Sequence, residues 1–183
     1  MAAEPTATAL GMLAPDFALP GVDDHVWSRT AVRGDAGLLV MFICNHCPYV
    51  RAVVDRIVRD VRALASLKIG CVAISSNDAL AYPEDSFPRM REFARENNFS
   101  FPYLYDESQR IARAYGAVCT PDFFGFNAQL QLHYRGRLDA SGRQPVRGAA
   151  RRELFEAMQL IAATGSGPAE QIASVGCSIK WRT

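Results

Sequence analysis

An α/β architecture, with a central mixed sheet flanked by helices, follows from three observations. Two continuous apolar runs, Gly37–Ile43 and Ile69–Ser75, have the composition of central strands buried on both faces. Between them Val50, Val53, Val54, Ile57, Val61 and Leu64 recur at spacings of three and four, the stripe of an amphipathic helix. Later, Phe123–Phe126 and Gln129–Tyr134 flank Asn127-Ala128, which predicts an antiparallel pair on an otherwise parallel sheet.

In chain order, Met1–Leu10 is small and polar and is expected to fray. Phe17–Leu19 and Val26–Trp27 read as short strands around a turn at Gly21–Asp24. The first buried strand and the striped helix follow. Arg51, Asp55, Arg56, Arg59 and Arg62 take mostly the other side of that helix. After the second strand, Ser76–Asp85 carries Asn, Asp and Pro and reads as a loop. A helix over Pro88–Glu96 has Met90, Phe93 and Ala94 as its stripe. Tyr103–Tyr105 reads as a short strand, and Ser108 as the cap of a helix running to Tyr115. Leu154, Phe155, Met158 and Ile161 mark a last helix that Gly165 ends. Ser166–Thr183 is a Gly-containing C-terminal tail.

The 183 residues suit one domain, 1–183, and show no internal repeat. Twenty Lys and Arg against nineteen Asp and Glu give a formal charge of +1, so no global field draws the chain to nucleic acid or to an anionic membrane. Arg147, Arg151 and Arg152 cluster, but without interleaved aromatics they read as a solvated face. The run Ala36–Cys44 is too short to span a bilayer. Met1–Leu13 lacks a basic start followed by a long apolar stretch, so no secretory leader is expected and the setting is read as cytoplasmic. In that compartment a close cysteine pair is catalytic or metal-binding more often than structural.

Cys44-Asn45-His46-Cys47-Pro48 is such a pair, placed where a buried strand runs into a helix. The reactive form of cysteine is the thiolate, which unpaired N–H groups at a helix start favour. Two intervening residues let a disulfide close across the first turn. Attack by one sulfur then makes a mixed disulfide, and attack by the second releases it. Pro48 is tolerated because a first-turn N–H has no intrahelical partner to lose. His46 can tune the pair as a proton donor or positive charge, or can be merely solvated. Structural zinc wants four ligands, and Cys119, Cys177, His25 and His133 are scattered, so no metal site and no cofactor is expected.

The opening Gly11-x-x-Ala14-Pro15-x-Phe17-x-Leu19 resembles the start of the peroxiredoxin-like branch of the thioredoxin superfamily, the alkyl hydroperoxide reductase/thiol-specific antioxidant relatives. Phe42-Ile43-Cys44-Asn45-His46-Cys47-Pro48-Tyr49-Val50 resembles a subfamily of that branch with a thioredoxin-type Cys-x-x-Cys. Ser76-Asn77-Asp78, Tyr82–Ser86, Phe101–Asp106, Cys119–Phe124 and Gly176–Trp181 are similar to it as well. The resemblance implies a thioredoxin-like fold. It also implies that Thr120-Pro121 forms a cis-proline loop against the cysteines, with Asn45, Thr120 and Pro121 shaping a substrate groove.

Peroxide-reducing members of the branch use Pro-x-x-x-Thr/Ser-x-x-Cys and a later Arg. With Cys47 as the reacting cysteine, Cys44 and Val40 stand in the hydroxyl and proline places; with Cys44, Met41 and Gly37 do. Neither register works, and nothing in the sequence assigns Arg135 or Arg137 to the site. The expectation is therefore a thiol–disulfide oxidoreductase. A weak thiol peroxidase and a redox-sensing or metal-binding module are the alternatives. Cys44 is expected to attack as the more exposed thiol and Cys47 to resolve, although the order reverses if Cys47 keeps the peroxiredoxin place. The partners are a protein or small-molecule disulfide and a thiol reductant. Cys71 reads as core. Cys119 reads as an auxiliary thiol near the loop proline or as a buried one. Cys177 reads as a resolving thiol, as a cross-link in a homodimer, or as part of a tail docked through Ile179 and Trp181.

Overall fold

The computed structural model describes residues 2–3, 10–144 and 150–182. Its strands and helices are β1 (Ala2–Ala3), β2 (Ala18–Pro20), β3 (Val26–Ser28), α1 (Arg29–Val32), β4 (Gly37–Phe42), α2 (Pro48–Arg51), α3 (Val54–Ala65), β5 (Ile69–Ser75), α4 (Phe87–Glu96), β6 (Tyr103–Tyr105), α5 (Arg110–Tyr115), β7 (Cys119–Thr120), β8 (Asp122–Asn127), β9 (Leu132–Gly136), α6 (Glu153–Thr164) and β10 (Gly176–Ser178). The central sheet has the order β6-β5-β4-β8-β9. β5 runs parallel to β4 and β6, while β8 is antiparallel to both β4 and β9.

β4 sits in the middle of the sheet and is buried along its whole length, because its successive residues feed two cores. Leu39 and Met41 pack with α3, α4 and α6 on one face. Leu38, Val40 and Phe42 pack with Val32 of α1 and with Ala112 and Tyr115 of α5 on the other. Phe123, Phe124 and Phe126 are fully buried in these cores, as a strand-pairing role requires. The mixed sheet flanked by helices is the predicted class.

The striped helix is interrupted. Val53 leaves the helical region (φ −126°, ψ −1°), and its N–H bonds to the Val50 carbonyl three residues back. The apolar stripe continues across the break because both pieces face the same core. Ser108 is not the main cap of α5. The Ala112 N–H goes to the Asp106 carboxylate, while Ser108 donates to the other Asp106 oxygen.

The N-terminus departs from expectation, while the C-terminal tail takes the docked arrangement that is among those expected of it. Ala2–Ala3, within the segment expected to fray, pairs with β10; residues 4–9 lie outside the described residues. The tail is docked, with β10 between β1 and β7 in a small antiparallel sheet. Ile179 is buried in the second core and Trp181 packs against it. Arg151 and Arg152 are paired with Glu156 and Asp60, and Arg147 lies outside the described residues. Among the described residues no helix is long and apolar enough to cross a membrane.

Candidate active site

The site forms where β4 ends. Ile43 continues the β4–β5 pairing by one hydrogen bond to Ile74, after which the chain turns. Cys47 is the N-cap of α2, and the Cys47 carbonyl accepts the Arg51 N–H at 3.0 Å. Pro48 fills the first helical position, where its missing N–H costs nothing.

One buried carboxylate shapes the turn between the cysteines. Asp85 is fully buried in the loop after β5. Its Oδ1 accepts the backbone N–H groups of Asn45 (2.8 Å) and His46 (3.2 Å). Its Oδ2 accepts the Asn77 side-chain amide at 2.7 Å and lies 2.6 Å from His46 Nδ1. A buried carboxylate is stable only when its lone pairs are met in this way. The His46 ring also stacks on Tyr82, with centroids 5.8 Å apart, and Lys180 Nζ stands 5.7 Å from that tyrosine's centroid. Asn45 does not line a groove. Its amide donates to the Glu84 carbonyl and its oxygen accepts from the Tyr103 hydroxyl, because the Asp85 bonds turn it inward.

Thr120 forms the opposite wall, and the Thr120–Pro121 peptide is cis. Its hydroxyl lies 3.3 Å from Cys44 Sγ, and its carbonyl accepts from Cys47 Sγ at 3.1 Å while that thiol is protonated. Beside Pro121 and Tyr49 is a largely apolar cavity of about 150 Å³, walled by Val53, Leu138, Ile172 and Val175. β10 crosses the site with Cys177 opposite Thr120. Both Cys44 (1% exposed) and Cys47 (0%) are buried, so neither is the more exposed thiol; the Thr120 loop and β10 cover them.

The two sulfurs are polarised in opposite senses. Cys47 accepts from the Cys44 thiol and also from Cys177, from the Thr120 hydroxyl and from the Val50 N–H; together these outweigh burial and lower it to about 4. Cys44 is pushed well above the ordinary range by that same bond to Cys47, by burial and by the Asp85 charge. The reduced protein is therefore expected to hold one thiolate at neutral pH. Its ultraviolet absorbance should fade only as the pH falls through about 4, and should vanish in Cys47→Ser. A thiolate that titrates near the ordinary 9.0 would contradict this. Because the folded value is depressed, Cys47 stabilises the reduced fold fully above 9.0 and loses that contribution as the pH falls toward 4.

The other thiols divide by burial. Desolvation pushes Cys71 up to about 12 and leaves it a core residue. Cys119 is fully buried and is pushed up by desolvation and by the Asp122 charge, which makes it a protonated neighbour of the pair. Cys177 is partly exposed and packs against the buried cluster that contains Cys44 and Cys47. Cys44, His46 and Asp85 each bring a ligand-type atom within 4.8 Å of the others. Sequence reasoning missed Asp85, Asn77 and Tyr82. The available signal was a His beside two cysteines, with an acidic Pro-Glu-Asp turn as the place to seek its partner.

A protein-family model described as the AhpC/TSA family matches residues 10–140. No curated protein matches the chain. An uncharacterized conserved protein from Geobacillus kaustophilus is 42% identical at a TM-score of 0.94, covering 100% of this chain and 97% of that one. A hypothetical protein from Sinorhizobium meliloti is 33% identical at a TM-score of 0.93, with 98% of each chain covered. A thiol:disulfide interchange protein of the thioredoxin family from Chlorobium tepidum is similar in fold alone, at 17% identity and a TM-score of 0.64, over 85% of this chain and 99% of that one.

Proposed function

The chain belongs to the AhpC/TSA family, and from that premise we propose that it is a thiol–disulfide oxidoreductase whose Cys44 and Cys47 cycle between dithiol and disulfide. It is read as a peroxiredoxin-like member with a thioredoxin-type Cys-x-x-Cys and a cytoplasmic setting. The observation that carries this reading is the placement of two neighbouring buried sulfurs against one threonine, and their opposite polarisation supports it.

Cys47, the thiolate, attacks a disulfide substrate. One substrate sulfur leaves with the bonding pair, and a mixed disulfide remains on Cys47. Cys44 then gives up its proton and attacks the Cys47 sulfur. The second substrate thiolate leaves and the Cys44–Cys47 bond closes. His46, tied to Asp85 and with a ring nitrogen no more than 4.8 Å from Cys44 Sγ, is positioned to take that proton. Thr120 orients both sulfurs. The cavity beside Pro121 offers an apolar wall to the substrate, a protein or small-molecule disulfide, and a thiol reductant restores the pair.

Peroxide chemistry is disfavoured. Cys44 occupies the hydroxyl position, Arg135 binds Asp122 at 2.9 Å, and Arg137 binds Glu153 at 2.8 Å. The trio Cys44, His46 and Asp85 is what favours a metal-binding reading. Two ligands of one tetrahedral zinc stand about 3.3 Å apart, given bonds of about 2.0–2.1 Å; the 2.6 Å between His46 and Asp85 is a hydrogen bond.

The test is to oxidise the reduced protein with glutathione disulfide, quench in acid and map the cysteines by mass spectrometry, with hydrogen peroxide run in parallel. A Cys44–Cys47 bond formed by the disulfide is expected, with peroxide reacting no faster than with free cysteine at equal thiolate fraction. A fast peroxide reaction without that bond would overturn the reading.

A further inference from the structure

We propose that Cys177 is a third redox-active thiol, which accepts the disulfide from the buried pair as a Cys47–Cys177 bond and passes it to an external thiol reductant. The proposal rests on the Cys44–Cys47 reading above.

The small sheet seats this residue. In the β7–β10 pairing Cys177 stands opposite Thr120, the residue whose hydroxyl and carbonyl touch the other two sulfurs. Gly176 lies flat on the same threonine: a Cβ there would stand 2.1 Å from the Thr120 carbonyl oxygen, so only a residue without a side chain lets β10 lie this close. This packs Cys177 against the buried cluster that contains Cys44 and Cys47. A short movement closes that contact to a disulfide of about 2.05 Å. Of the three thiols, only Cys177 is partly exposed. A reductant in solution meets Cys177 first, and Cys47 lies directly behind it.

With the Cys44–Cys47 bond formed, deprotonated Cys177 attacks Cys47 Sγ. The Cys44–Cys47 bond breaks, and Cys44 leaves with its electron pair and takes up a proton, so this step exchanges bonds without net oxidation. A reductant thiolate then attacks Cys177 Sγ. Cys47 leaves as the thiolate that its surroundings stabilise, which makes it the better leaving group. A second reductant thiol attacks the mixed disulfide on Cys177, frees Cys177 and departs as the reductant disulfide. In sum, two external thiols are oxidised and one internal disulfide is reduced. Burial and the bond to Cys47 push Cys177 up to about 11 in the reduced protein. The second cause disappears once Cys47 is tied into a disulfide, which eases the deprotonation of Cys177 in the state where the relay needs it, while burial still raises it.

Two variants test the relay. Cys44→Ser, oxidised by one equivalent of glutathione disulfide and mapped after acid quench, should contain a Cys47–Cys177 bond. Cys177→Ser should still form the Cys44–Cys47 bond, but glutathione should reduce it at least about tenfold more slowly than in the wild type; Cys177→Ala should behave likewise. A Cys44→Ser protein with only glutathione on Cys47, or with only Cys177–Cys177 cross-linked dimers, overturns the proposal. So does a Cys177→Ser protein that forms its bond and is reduced at the wild-type rate, which leaves the earlier reading standing. Absence of the Cys44–Cys47 bond in Cys177→Ser overturns that earlier reading, and the relay with it.

Discussion

Replacing Cys47 with serine is expected to lower disulfide turnover by roughly a thousandfold or more, the scale on which removal of a nucleophile acts. The serine hydroxyl stays protonated where the thiol is ionised, and burial and the Asp85 charge still raise Cys44 once its bond to Cys47 is gone. The order of attack can be read from what accumulates. With Cys47 attacking first, the Cys44→Ser, Cys177→Ser double variant keeps its nucleophile, loses both resolving thiols and should trap one substrate molecule as a mixed disulfide. Cys47→Ser should trap none. If Cys47→Ser accumulates the mixed disulfide instead, Cys44 is the attacking thiol. Intact-mass measurement after reaction with a disulfide peptide distinguishes the two.

The second large effect belongs to a residue with no sulfur. Asp85→Ala removes the acceptor of the Asn45 and His46 amides, of the Asn77 side chain and of the His46 ring. A buried donor left without a partner costs about 1–3 kcal/mol. Some of these groups can relax toward water, so a net loss of about 2–4 kcal/mol is expected from urea unfolding of the reduced protein. The turn between the cysteines loses its anchor, and turnover should fall with it. Asp85→Asn keeps one oxygen but turns an N–H₂ toward other donors, so it should fall between the wild type and Asp85→Ala. An Asp85→Ala protein as stable as the wild type within about 0.5 kcal/mol would show that the carboxylate anchors nothing.

The parts of the molecule set by short-range pattern could be read from the chain. Ile69–Ser75 and Tyr103–Tyr105 coincide with β5 and β6, because apolar runs between turn residues have few alternatives to a buried strand. The strand–helix junction carrying Cys44 and Cys47 is legible for the same reason. The break at Val53 was hidden, since apolar spacing records which face is buried and not how each N–H is satisfied. Asp85 was hidden more deeply. Its backbone partners at 45 and 46 are some forty residues away, and the loop that carries it has no periodicity to announce it. Asn45 was misplaced because its neighbours are cysteines, while its partners, Glu84 and Tyr103, arrive only in three dimensions. The tail's docking through Ile179 and Trp181 could be read, but its strand β10 could not, because a three-residue strand such as Gly176–Ser178 takes its identity from β7 and β1 and not from its own composition.

The strand lying over the two buried sulfurs makes reactivity a matter of populations. With both sulfurs buried, a bulky disulfide would reach Cys47 only in molecules where β10 or the Thr120 loop has moved aside, and its observed rate would be the intrinsic rate multiplied by that fraction. Each 1.4 kcal/mol by which the closed arrangement is favoured lowers that rate about tenfold. Selectivity then belongs to whatever displaces the strand, and a highly reactive sulfur can coexist with a slow background reaction toward every disulfide that does not.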